Sequence, residues 1–157
     1  SDQKCTAARQ VGADHAINYK TEDFVAICRE AGGMDIILDI IGGDYVARNI
    51  KAARHDARLV QLAFNGGSKV EIDLMPIMLK RLSYTGSTLR SRPEEFKARV
   101  AADVREKVWP LFENGTLRSV THAVLQLAIL DAMKIEAAEA HRMMESATHH
   151  GKILLKP

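Results

Sequence analysis

The sequence predicts an α/β protein built on a parallel sheet, and three observations carry that expectation. Residues 36–41 are apolar on both faces apart from Asp39, as in a central strand with cover on each side. Directly after them Gly42-Gly43 supplies a tight turn, and Tyr45, Val46, Asn49, Ile50 and Ala53 follow at helical spacing. Strand and helix patterns then alternate along the chain, which is the mark of βα units with a parallel sheet. Ligands of open α/β sheets bind beyond the carboxyl ends of strands, so Gly42 and Gly43 mark a candidate site, although two glycines can also simply make a turn.

Each element follows from its residues. Ser1 and Asp2 are helix-capping types, residues 4–11 form a short helix with Cys5, Ala8 and Val11 on one face, and Gly12 suits the position just past its end. Residues 15–19 form a short strand, and Thr21 then caps a helix whose first turn carries Glu22 and Asp23, where acids favour the helix dipole. Phe24, Ile27, Cys28 and Ala31 give that helix its buried face, and Gly32-Gly33 ends it. After the strand at 36–41 and its helix, residues 58–64 form the next strand, closed by Asn65-Gly66-Gly67. Pro76 opens a short helix at 77–81, and residues 82–88 form a further strand. Ser91 and Glu94 have capping-box spacing, and Phe96, Val100, Val104, Val108 and Phe112 predict one long amphipathic helix, bent or ended near Pro110. Residues 122–127 predict a strand and 129–146 a helix with Ile129, Met133, Ala137, Ala140 and Met144 on one side. Residues 151–155 predict a last strand.

Composition narrows the class. With 157 residues, 46% hydrophobic, 27% charged and a net charge of +2, the chain has an ordinary globular balance and lacks the basic excess of a dedicated nucleic-acid binder. No apolar run approaches the ~20 residues of a membrane span, and Ser1-Asp2-Gln3-Lys4 has no signal-peptide core, which predicts a cytoplasmic protein with no membrane partner. Cys5 and Cys28 lack metal-ligand spacing and are expected as free thiols. His141, His149 and His150 are close in sequence without a ligand pattern, so surface or capping roles are expected and no metal site. Asp39, inside an apolar strand, is expected to be structural, its carboxylate bonded to backbone or water, because a buried acid needs partners.

Several segments together resemble a known family. Gly12-Ala13-Asp14-His15-Ala16-Ile17-Asn18-Tyr19, Asp35-Ile36-Ile37-Leu38-Asp39, Arg58-Leu59-Val60-Gln61, Thr85-Gly86-Ser87-Thr88-Leu89-Arg90, Ala138-Glu139-Ala140-His141-Arg142-Met143-Met144-Glu145-Ser146 and Gly151-Lys152-Ile153 occur in that order. In this they resemble the NADPH:quinone oxidoreductases, the zeta-crystallin-like branch of the medium-chain dehydrogenase/reductase superfamily. The resemblance covers the carboxyl-terminal half of such an enzyme. It implies a partial Rossmann-like, doubly wound parallel sheet lacking its first two strands, with residues 1–120 in the dinucleotide-binding domain. Residues 121–157 would then return toward a GroES-like substrate domain. The stretch from Leu125 to Glu136 is longer than in the family.

The resemblance also implies a function. Lys4 and Tyr19 match positions beside the adenosine 2′-phosphate, where an ammonium and a phenol hydroxyl favour NADPH, whereas Asp2 is an acid of the kind that favours NADH. Gly42 and Gly43 match the passage under the nicotinamide ribose and pyrophosphate, while Phe64, Asn65, Ser87, Thr88 and Leu89 match segments at the nicotinamide end. The implied reaction is zinc-independent hydride transfer from NADPH to a quinone or similar activated carbonyl. Because the cofactor supplies the hydride, no acid/base motif is required and none is evident, so the catalytic residues stay unassigned. The family also implies a homodimer through the edge strand at 82–88. A non-catalytic interaction or dimerisation module retaining the fold is the second reading. Without a Gly-rich phosphate loop, the isolated 157 residues are expected to be inactive.

Overall fold

The computed structural model describes residues 1–126 and 133–156, and resolves into two compact units, Ile17–Val100 and the combination of Ser1–Ala16 with the chain from Ala101 onward. In the first, three parallel strands lie in the order β1 (Met34–Asp39), β2 (Ala53–Gln61), β3 (Ser83–Gly86). Helices α2 (Phe24–Glu30), α3 (Tyr45–Ala52) and α4 (Met75–Lys80) belong to this unit. The other contains α1 (Asp2–Gln10), α6 (Trp109–Glu113), α7 (Met133–Ser146) and a parallel pair, β4 (Thr121–Gln126) with β5 (Lys152–Lys156). Helix α5 (Glu94–Lys107) precedes α6. The α/β class with parallel sheets is as the sequence predicts.

The core of the three-stranded unit is a consequence of register. Ile37 pairs with Leu59 and Leu59 with Tyr84, so these side chains share one sheet face, and α3 lays Val46 and Ile50 onto it. With Ala53, Ala57 and Leu59 these form the buried cluster, flanked by Ile37, Ile72, Ile77 and Leu82. Burying a Val, Leu or Ile side chain is worth roughly 1.5 to 3 kcal/mol, so this cluster is the main attraction holding α3 to the sheet. Lys80 fastens the far end of α3: its Nζ donates to the carbonyls of Ile50 (3.0 Å), Lys51 (3.1 Å) and Ala53 (2.6 Å), groups that lack helical partners at a helix end.

Four expectations are corrected. Strand β1 is covered on one face rather than two: Ile36 and Leu38 on the other are 63% and 66% exposed. Residues 15–19 are not a strand, since a strand needs a neighbour to complete its hydrogen bonds; Asn18 instead closes a turn through Thr21 and Glu22. The cap of α2 is Asp23 rather than Thr21, its carboxylate accepting from the Val25 amide at 3.0 Å. The single long helix is two, broken at Val108 (φ −106°), with Pro110 in the first turn of α6, where its missing N–H costs nothing. Ser91 pairs with Thr88 Oγ1 at 3.0 Å while α5 starts at Glu94. Ile129, and the length of the connection before α7, lie outside the described residues.

Candidate functional site at the carboxyl ends of the strands

The last residue of β1 organises the site. Asp39 is 7% exposed, and its Oδ1 accepts from the backbone amides of Ile41 (2.6 Å) and Gly42 (3.1 Å) while Oδ2 accepts from Asn49 Nδ2 (2.9 Å). One carboxylate thus folds the 40–43 turn back over the strand end and ties it to the first turns of α3. The expected structural role of Asp39 is the observed one. Across the sheet, Gln61 Nε2 donates to Asp39 O (3.2 Å) and Ala63 O (2.5 Å), and the Tyr84 hydroxyl donates to Gln61 Oε1 (2.7 Å). A polar line therefore crosses all three strands. Burial pushes the Tyr84 phenol above its ordinary value, and the negative charge of Asp39 adds to the shift.

The two glycine turns lock together at this end. Gly42 and Gly43 have φ of +67° and +53°, in the left-handed region that only glycine enters freely. Gly43 N donates to Gly67 O (2.8 Å) and Gly66 N to Ile41 O (2.6 Å), so the turn after β1 and the turn after β2 share backbone hydrogen bonds. A Cβ at Gly43 would stand 2.6 Å from Gly66 O, and one at Gly42 2.6 Å from the Phe64 ring. The close approach anticipated for a ligand is here made by the protein's own backbone.

Beside the turn opens a cleft of roughly 570 Å³, lined by Tyr19, Phe24, Leu38, Asp39, Tyr45 and Asn49 among others. Its rim is aromatic: Phe24 and Tyr45 stack with centroids 5.6 Å apart, and the Arg48 guanidinium lies 4.3 Å from the Phe24 ring centroid, paired with Asp23 at 3.6 Å. Apolar and aromatic walls with a few fixed polar groups suit a ligand with a flat ring system and hydroxyl-bearing parts.

The structure brings together Gly42, Gly43, Phe64 and Asn65 at the ends of β1 and β2, with Asn65 N donating to Ile40 O at 3.2 Å. Ser87 joins them, its amide donating to Gln61 O at 3.0 Å. Thr88 and Leu89 follow on the exposed connection toward α5, where Arg92 Nε donates to Thr88 O at 3.3 Å. Tyr19 is exposed on the cleft, whereas Lys4 lies on α1 in the other unit. Sequence reasoning missed Asn49 and Gln61 as site-forming groups; their signal is an amide at a position where helix or strand periodicity demands an apolar residue. It also missed His122, whose ring lies 5.2 Å from that of His150 and 6.2 Å from that of His149. Among the described residues no group of three or more His, Cys, Asp or Glu could hold a metal ion. Cys5 and Cys28 are free thiols, and no described helix is long and apolar enough to cross a membrane.

Comparison with known proteins gives consistent matches. The mouse quinone oxidoreductase-like protein 2 is 29% identical over 159 residues, covering 99% of this chain and 43% of the relative. The crystal structure of an NAD-dependent alcohol dehydrogenase superposes with a TM-score of 0.72 at 29% identity, covering all of this chain and 42% of the other. The quinone oxidoreductase from Thermus thermophilus, solved also with NADPH, has the same fold, with a TM-score of 0.75 at 23% identity over 100% of this chain and 47% of its own. The chain thus spans less than half the length of the relatives it matches. A family model described as zinc-binding dehydrogenase matches residues 11–155. With that match over nearly its whole length, on a parallel sheet whose glycine turns meet at the strand ends, the chain belongs to the zinc-binding dehydrogenase family of the medium-chain dehydrogenase/reductase superfamily.

Proposed function

We propose that the chain is the cofactor-binding half of a cytoplasmic, zinc-independent oxidoreductase of the zeta-crystallin-like branch, which passes a hydride from NADPH to a quinone or similar activated carbonyl. Residues 1–120 would belong to its dinucleotide-binding domain and 121–157 lead back toward the substrate domain. The observation that carries this reading is the glycine turn after β1, held by Asp39 beside an aromatic-rimmed cleft at the carboxyl ends of parallel strands. Bound there, the nicotinamide would supply the hydride. The chain's own part is to hold the 40–43 backbone, to present Phe64, Asn65 and Ser87 at the neighbouring strand ends, and to offer the ring system the apolar side of the cleft. The test is NADPH oxidation by the full-length protein with 1,4-benzoquinone as acceptor. Chelator-insensitive turnover is expected, and chelator-sensitive oxidation of an alcohol with no quinone reduction would overturn the reading.

The choice between NADPH and NADH rests on Lys4 and Tyr19. Changing both, Lys4→Gln with Tyr19→Phe, removes two charge-assisted bonds worth about 1.5 to 3 kcal/mol each if they hold the 2′-phosphate. NADPH affinity should then fall at least tenfold while NADH affinity stays within about twofold. Equal losses by titration calorimetry would leave the 2′-phosphate without this site.

Association is proposed through β3. All four of its residues are exposed and it forms one edge of the three-stranded sheet, an arrangement that invites antiparallel pairing with a second copy. Sedimentation of the full-length protein at the dimer mass is expected, together with spontaneous cross-linking of a Thr85→Cys variant across the two-fold axis. A monomer at micromolar concentration would refute the pairing.

A further inference from the structure

A second cleft, of roughly 440 Å³, lies at the amino ends of β1 and β2, lined by Arg29, Lys51, Arg54, His55, Pro76 and Lys80 together with Gly32 and Gly33. Its volume falls within the ~300 to 1,000 Å³ of small-molecule sites. The length of β1 separates it from the strand-end site by roughly 20 Å at ~3.3 Å per residue.

Its charge is one-sided. Four cationic side chains and an imidazole line it, and no carboxylate does. Two of the cations are already engaged, Arg54 with Asp35 at 2.8 Å and Lys80 with three carbonyls at the end of α3. Arg29 and Lys51 are exposed and make no ion pair among the described residues. Helices α2 and α3 both end here, and bare terminal carbonyls would repel an anion. They are not bare: Lys80 takes those of α3, and the amides of Ala31, Gly32 and Gly33 return to Ile27, Arg29 and Cys28 of α2. Burial lowers the Lys80 pKa, and the positive charge of Arg29 lowers it further.

We propose that this cleft binds a small anion bearing two or more phosphoryl groups, which Arg29 of α2 and Lys51 of α3, both lining it, grip together. A guanidinium fork takes two phosphate oxygens at once and an ammonium takes the next as a point charge, so two cations on separate helices favour a diphosphate over an isolated phosphate.

The experiment is calorimetric titration of the full-length protein with inorganic pyrophosphate at low ionic strength, alongside Arg29→Gln/Lys51→Gln. Lys80 is left intact because it caps α3. Wild type should bind pyrophosphate at least tenfold more tightly than the double variant and than it binds orthophosphate. Equal affinity of wild type and variant, no binding by wild type, or binding only of poly-glutamate would each overturn the proposal. A readout on wild type alone guards against a misfolded variant: pyrophosphate should slow acetylation of Lys51 several-fold while leaving exposed Lys107 unaffected, and unchanged labelling of Lys51 would sink the idea.

Discussion

Asp39→Ala should cost stability on the order of 3 kcal/mol and dismantle the strand-end turn. The substitution strands three donors, the amides of Ile41 and Gly42 and the side chain of Asn49, that now meet at a carboxylate only 7% exposed. Each buried donor without an acceptor costs about 1 to 3 kcal/mol, and partial relaxation of the turn keeps the sum below the arithmetic total. Asp39→Asn is the informative control. Its amide oxygen still faces the two backbone donors and Asn49 can rotate to offer its own oxygen, so a loss of about 1 kcal/mol is expected. Urea denaturation of the two variants measures the difference, and equal losses would mean that the hydrogen bonds of Asp39 do not hold the turn.

Gly43→Ala is the second large effect, expected at about 2 to 4 kcal/mol with at least a tenfold loss of dinucleotide affinity. Two costs combine. A residue with a Cβ pays about 1 to 2 kcal/mol to stay left-handed at φ +53°, and the new carbon meets Gly66 O at 2.6 Å. A backbone carbonyl cannot swing aside as a side chain can, so the two turns must separate and the Gly43–Gly67 hydrogen bond stretches. Gly115→Ala isolates the first cost, since Gly115 has φ +77° and open space around it. Thermal unfolding should place it well above Gly43→Ala, and similar midpoints would remove the steric part of the argument.

The elements were legible in the sequence where local pattern decides them. The helix after Gly42-Gly43, with its 3.6 spacing through Val46 and Ile50, and the alternation of strands with helices follow from periodicity and punctuation, whereas the apolar run before the turn, read as covered on both faces, is covered on one. The partners of Asp39 were not legible, because they depend on register between segments far apart: Gln61 is 22 residues from Asp39, and Tyr84 is 23 from Gln61. The same holds for the basic cleft, whose cations come from α2, α3, β2 and α4 and meet only when the sheet forms. Residues 15–19 have strand-like composition, yet composition alone cannot make a strand without a neighbour. Gly42 and Gly43 were identified from their type, whereas the neighbour that makes them obligatory, the Gly66-Gly67 turn, is a matter of tertiary contact.

The uncovered face of β1 has a consequence for how such a chain behaves in solution. Ile36, Leu38 and Ile40 are all exposed beside a strand edge that has no partner strand among the described residues, the combination to which hydrophobic dyes, chaperones and other copies of the chain adhere. Colloidal stability, rather than folding free energy, then sets the concentration at which the chain can be handled. Salts that strengthen apolar association lower that ceiling, and a single lysine in place of Leu38, which leaves the buried face of the sheet untouched, raises it.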